Sequence, residues 1–141
     1  MAEVKLGQLA QTKGSAESVK EFGKRMETDH SKASEQLKEA ASKDNITLPS
    51  SMSKSDEATY RRLSKLSGAE FDKAYAALMV KDHKKDIAAF QKEANKGKKP
   101  EIKQFASQTL PTLQDHLKMA QAMHNAVSGA NQSASGATAT R

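Results

Sequence analysis

Apolar residues recur every three or four positions along most of this chain, and no stretch alternates apolar with polar long enough to make a strand. The spacing predicts helices separated by short breaks. Leu6, Leu9 and Ala10 mark one side of a first helix over about Ala2 to Lys13, which Gly14 is expected to stop in the left-handed conformation common at helix ends. Ser15 is placed to cap a long helix reaching about Asp44, broken by Pro49 in "NITLPSS". A shorter helix over about Ser55 to Leu66 carries Tyr60, Leu63 and Leu66. "SGAE" has the spacing of a capping box, with Ser67 at the cap and Glu70 three residues on, and opens a helix to about Asn95. Gly97 closes that helix, and Pro100 suits the first position of a last one reaching about Ser128. Pro111 lies inside this last pattern and is expected to kink or restart the helix near Ser107. Residues 129–141 are small and polar and are expected to be a disordered tail.

Three long helices, a short first one and tight turns predict an all-α fold, an antiparallel four-helix bundle over residues 1–128 with an extra short helix between its second and third long helices. Composition agrees: the chain is rich in Ala, Lys, Glu and Gln, has no Trp, and its 141 residues suffice for one core. No cysteine is present, which excludes disulfides and thiolate ligands. The net charge of +6 raises nucleic-acid binding, but the lysines are scattered among Glu and Asp, and the densest cluster, "NKGKKPE", is a Gly/Pro break without aromatic neighbours. A solvated surface with no nucleic-acid partner is the expectation. No apolar run is long enough for a membrane span, and Met1 to Lys13 lacks the core of a signal peptide.

Candidate chemistry lies in "METDH" (26–30), "MVKDH" (79–83) and "LQDH" (113–116), where every histidine but His124 follows an aspartate. Each of the three falls inside an apolar stripe: His30 with Val19, Met26, Ala33, Leu37 and Ala41, His83 with Ala76, Met79, Ile87, Phe90 and Ala94, and His116 with Ile102, Phe105, Leu113, Ala120, Met123 and Val127. All three also lie near mid-helix, so a bundle should bring them to one layer of its core. Facing helices of a bundle are where metal sites are built, and His30 with Glu27 forms Glu-x-x-His. Glu3 is a candidate fourth-wall carboxylate about one turn from the layer. Asp29, Asp82 and Asp115 are each turned about 100° from their histidine and suit the role of orienting an imidazole on the next helix. A second reading stays open, in which the three pairs form a buried Asp/His network that fixes helix register and binds no metal. His124 reads as a surface residue, and Met26, Met79, Met119 and Met123 as core filling. "METDHSKASEQLKEAA" and "MVKDHKKDIAAFQKEA" further suggest an old duplication.

"AEVKLGQLA", "METDHSKASEQLKEAA", "ITLPS", "SGAEFDKAYAALMVKDHKKDIAAFQKEA" and "PEIKQFASQTLPTLQDHLKMA" together resemble a bacterial ferritin-like family known as domain of unknown function 4142. The resemblance spans nearly all of residues 2–121. It implies a ferritin-like bundle, periplasmic or otherwise exported, with no activity established for the family. Di-iron ferritin-like centres take Glu-x-x-His from two helices, whereas here Leu113 precedes His116 by three positions and Val80 so precedes His83. If metal binds, the site expected is mononuclear and His-rich, suited to zinc or another divalent transition metal; the expected role is structural or stress-related, with a metal-dependent redox or detoxifying enzyme as the alternative. The resemblance also implies more helix before "AEVKLGQLA" than this chain has. The incomplete first wall is expected to leave apolar core uncovered and to favour a homo-oligomer.

Overall fold

The computed structural model describes the backbone of residues 1–139 and the side chains of residues 1–128. It is all-helical over the described residues: α1 (Ala2–Lys13), α2 (Glu17–Lys43), α3 (Lys54–Ser64), α4 (Gly68–Lys96) and α5 (Pro100–Ala139). The expectation about a tail over 129–141 lies outside the residues whose side chains are described.

The helix ends depart from sequence expectation in instructive ways. Gly14 ends α1 in an extended conformation (φ −71°, ψ 151°), not a left-handed one. Glycine is needed there for space, because a Cβ would meet the Ala10 carbonyl oxygen at 2.6 Å and Val19 Cγ1 at 2.9 Å. Ser15 does not cap α2. Its N–H and its hydroxyl instead donate to the Asp72 carboxylate of α4 (3.0 and 2.8 Å), as does the Ala16 N–H (2.9 Å). The start of α2 is thus capped by another helix. At its far end α2 stops well before Pro49: Asn45 adopts φ 58°, and the Asn45 and Ile46 N–H groups bond back to the Ser42 and Ala41 carbonyls (3.2 and 2.8 Å). That is a Schellman closure with asparagine in the glycine position. The capping box at "SGAE" does not form, since Ser67 makes no side-chain cap bond and Gly68, at φ 60°, turns the chain away from the required geometry. Ser53, by contrast, caps α3 through the Asp56 N–H at 3.1 Å. α5 begins at Pro100 as expected and runs through Pro111 without restarting.

α1 packs on α2, α2 on α5, α5 on α4, and α4 closes the ring on α1, while α3 lies across α1 and α4. Two buried or half-buried carboxylates fix the directions. Asp72 joins the starts of α2 and α4, and Asp44, just beyond α2, accepts a bond from the Ile102 N–H in the first turn of α5 (2.9 Å). Neighbouring helices are therefore antiparallel, and α2 and α4 run parallel across a diagonal, joined by the crossover that contains α3. The core holds Leu6, Leu9 and Ala10 of α1, Phe22 and Met26 of α2, Leu63 of α3, Phe71, Tyr75 and Met79 of α4, and Ala120 and Met123 of α5. Phe71 stacks on Tyr75 at 5.5 Å between centroids, and Phe22 meets Tyr75 edge-on at 6.0 Å.

α1 can sit so deep because two glycines face each other where it crosses α2. A Cβ on Gly7 would meet the Gly23 carbonyl oxygen at 2.5 Å, and one on Gly23 would meet the Gly7 oxygen at 2.6 Å. Beyond the reach of α1, an apolar cleft of about 240 Å³ opens between α2, α4 and α5, walled by Leu37, Phe90, Ile102 and Phe105. No described helix is long and apolar enough to cross a membrane.

Asp72→Ala is expected to destabilise the fold by roughly 2–3 kcal/mol through loss of three acceptor contacts, and Gly23→Ala by about 1–3 kcal/mol through overpacking. Urea unfolding measures both, and a change under about 0.5 kcal/mol in either would show that the contact in question carries little.

A candidate metal centre of three histidines

His30 of α2, His83 of α4 and His116 of α5 meet in one layer, with one donor nitrogen from each lying within 4.8 Å of the other two. Ring centroids are 5.9 Å apart for His30 and His83, 5.3 Å for His30 and His116, and 5.5 Å for His83 and His116. The common level follows from the helix-end contacts. Fourteen residues separate His30 from Asp44, and fourteen separate Ile102 from His116, so the Asp44–Ile102 bond sets the two imidazoles at equal height on antiparallel helices. His83 and His116 are almost fully buried and His30 partly so.

Hydrogen bonding divides the ring nitrogens into two kinds. His83 Nδ1 lies 2.8 Å from the Met79 carbonyl oxygen, a pairing that requires the proton on Nδ1 and leaves a lone pair on Nε2. His116 Nε2 lies 2.7 Å from Asp29 Oδ2, which places its proton on Nε2 and leaves the lone pair on Nδ1. His83 Nε2, His116 Nδ1 and His30 Nε2 are buried and have no hydrogen-bond partner. Three neighbouring imidazoles thus each keep a bare nitrogen, two with their other nitrogen anchored as in metal-binding histidines. For a tetrahedral ion at about 2.0–2.1 Å from nitrogen, the donors would draw together by up to about 1.5 Å from a separation of 4.8 Å.

The remaining candidates divide. Asp29 orients His116 across the α2–α5 interface, and Arg25 Nε in turn donates to the same carboxylate oxygen at 2.6 Å. Glu27 stands outside the cluster: its Oε2 accepts from Gln11 Nε2 of α1 at 2.7 Å, so the Glu-x-x-His spacing serves helix packing in this structure. Glu3 also stands outside, on the α1 side, and meets Asp86 of α4 carboxyl to carboxyl. Asp82 lies beside that pair in the same cleft, and Asp115 is exposed in a cleft between α2 and α5; neither bonds a histidine. His124 is partly buried, not fully exposed, and Met26, Met79 and Met123 fill the core with Met119 packed against it. Asp86 had no distinguishing mark in the sequence, because a lysine-flanked aspartate in "KDHKKD" reads as solvated charge.

Burial dominates the electrostatics. It lowers His30 to about 4, with the Glu3 charge opposing and the other two histidines reinforcing the shift, and it lowers His83 as well. Both are neutral near pH 7, the state that binds metal. Burial, then the Glu3 charge and the bond to it, raise Asp86 to about 7. Burial also works against ionised Glu3, but the fields of His30 and bonds from its own backbone and Asp86 hold it below the ordinary carboxylate value. The shared proton therefore sits on Asp86. Asp29 is held low against its partial burial by bonds from His116 and Arg25.

A helical bundle with a buried cluster of three histidines is the class these features define. The chain belongs to the family described as Domain of unknown function (DUF4142), whose profile matches residues 1–123. No curated protein and no solved structure matches it.

The two kinds of group give opposite pH dependences. His30 binds its proton more weakly folded (about 4) than unfolded (about 6.5), so its contribution to stability is present above pH 6.5 and lost as pH falls toward 4. Asp86 holds its proton more tightly folded, so its contribution is present at low pH and lost as pH rises through about 7. Asp86→Asn should therefore make metal-free protein lose stability more steeply between pH 6.5 and 4 than the parent does. Parallel urea midpoints for the two proteins across that window would contradict the assignment.

Proposed function

We propose that this is a ferritin-like bundle whose core binds one divalent transition-metal ion through His30, His83 and His116, zinc being the ion whose preferences the all-imidazole donor set suits best. The observation that carries the reading is that His30, His83 and His116, whose donor atoms come within 4.8 Å of one another, each keep a buried ring nitrogen without a partner. A network serving register alone would pair those nitrogens with each other or with carboxylates, since a buried polar atom left bare costs about 1–3 kcal/mol. The diagonal crossover between parallel α2 and α4 supports the ferritin-like assignment, because a single long crossover is the mark of that bundle. Lacking paired Glu-x-x-His motifs, the site is mononuclear. Its role is structural or stress-related, in the periplasm or outside the cell, a location that rests on the family resemblance.

One observation favours a metal-dependent redox or detoxifying enzyme as a second reading. Three histidines from α2, α4 and α5 leave the α1 side of the cluster without a histidine, and there, where Glu3 stands, a fourth ligand, a water or a substrate would bind.

Metal-free protein prepared without a His-tag should take up one equivalent of Zn²⁺ or Co²⁺ and melt several degrees higher. His83→Ala and His116→Ala should each weaken binding at least ~100-fold, and Asp29→Asn about 10–100-fold by freeing the His116 ring. Calorimetric titration showing no stoichiometric uptake, with melting unchanged by chelator, would leave the register network as the function of the layer.

The apolar cleft that α1 leaves uncovered supports a homo-oligomer formed through that face. Sedimentation should detect a dimer or larger species that Phe90→Glu or Leu37→Glu returns to monomer. A parent protein that stays monomeric at high concentration ends this part of the reading.

A further inference from the structure

Two clefts approach the histidine layer from opposite sides, and they differ in the charge they offer. The smaller, about 280 Å³ between α2 and α5, reaches the layer at Asp29. That carboxylate is already committed to Arg25 and His116, and the cleft's other carboxylate, Asp115, is matched by Lys32, so an arriving cation meets no excess of negative charge. The larger, about 790 Å³, lies between the first turn of α1, the segment 49–56 and α4. Glu3, Asp56, Asp82 and Asp86 line it against Lys54, Lys85 and the amino group of Met1, so its walls carry four carboxyl groups to three ammonium groups.

Depth adds to charge. Asp56 is exposed at the mouth, while Asp82, Asp86 and Glu3 are partly buried farther in. Asp82 and Asp86 stand one residue before and three after His83 on α4, and Glu3 is near enough for its charge to act on both His30 and His83. Behind them, His83 Nε2 is wholly buried and lacks a partner. Oxygen ligands suit a cation that still holds part of its water shell, and imidazole suits the same transition metal once it is stripped. The order of groups along the cleft, from exposed Asp56 through Asp82 and Asp86 to Glu3 and then to imidazole, is the order in which an entering ion would exchange water for protein.

We propose that this carboxylate-lined cleft is the entry path of the divalent cation, with Asp82 and Asp86 as transient ligands that pass it by way of Glu3 to His30, His83 and His116. The inference rests on the metal-binding reading above. It gives Asp82 and Asp86 a part in uptake rate and none in final coordination. Where Glu3 remains bound as a fourth ligand, Glu3→Gln lowers affinity as well as rate, whereas the two aspartates affect rate alone.

The test is stopped-flow uptake of Co²⁺ by the full chain, followed by its visible ligand-field band, with equilibrium titration alongside. Asp82→Asn and Asp86→Asn keep size and hydrogen-bonding capacity, and thermal melting checks that each is folded. At a pH above the Asp86 value of about 7, where its carboxylate is ionised, the double variant should take up Co²⁺ at least ~10-fold more slowly than the parent at low salt, with the gap narrowing as salt is added. Its final spectrum and affinity should stay within about threefold of the parent. Asp115→Asn, in the opposite cleft, should leave the rate unchanged. Equal rates for the parent and the double variant, or a slowing by Asp115→Asn instead, would overturn the path while leaving the site intact. Absence of any Co²⁺ band in the parent would overturn both.

Discussion

Everything at the centre of this molecule depends on two carboxylates that each cap a helix other than their own. Asp72 takes the first free N–H groups of the α1–α2 corner, and Asp44 takes one from the first turn of α5. Helix starts leave such donors unpaired, and satisfying them from a neighbouring helix joins a local requirement to a tertiary one. Side-chain packing alone tolerates a slip of a turn between helices more readily than a hydrogen-bonded anchor does. With anchors at opposite ends of α2, that helix is fixed lengthwise against both α4 and α5. The three imidazoles are level as a result.

The histidine layer places polar atoms where the rest of the core is apolar, and the structure treats its two sides differently. On the α2–α5 side, the Arg25–Asp29–His116 chain carries charge from the surface to a buried ring and fixes its tautomer. On the α1 side, Asp86 holds the proton and Glu3 the negative charge. The Gly7–Gly23 crossing is what brings α1, and with it Glu3, close enough to matter. A helix held at ordinary side-chain distance would leave the layer facing solvent.

Much of this was legible in the sequence. Apolar spacing located the starts of five helices and the ends of the first four to within a few residues, while the last runs to Ala139, well past the end expected near Ser128. A stripe position combined with mid-helix height was enough to foresee that His30, His83 and His116 meet. The aspartate before His116 does not hold that ring; Asp29 does, which the 100° turn between neighbours anticipated. What failed were inferences that stopped at one helix. Ser15 and the Ser67–Glu70 pair look like caps by local spacing, yet Asp72 outcompetes the first and a left-handed Gly68 displaces the second. Glu27 looks like a ligand by spacing and is taken by Gln11. Asp86 becomes visible only when α1 is folded against α4, because nothing in its local sequence sets it apart from a solvated charge.

The histidines belong to two separate hairpins, one from α1–α2 and two from α4–α5, and are far apart along the chain. An ion seated among them would close chain loops running from 30 to 83 and from 83 to 116. In the chain-entropy picture of a cross-link, closing a loop of the longer span restricts the unfolded ensemble by about 4 kcal/mol. A chain with no cysteine thus has, in one layer of imidazoles, the means to be stitched together as a disulfide would stitch it. Unlike a disulfide, this stitch would be undone by acid or a chelator and would ignore a reductant.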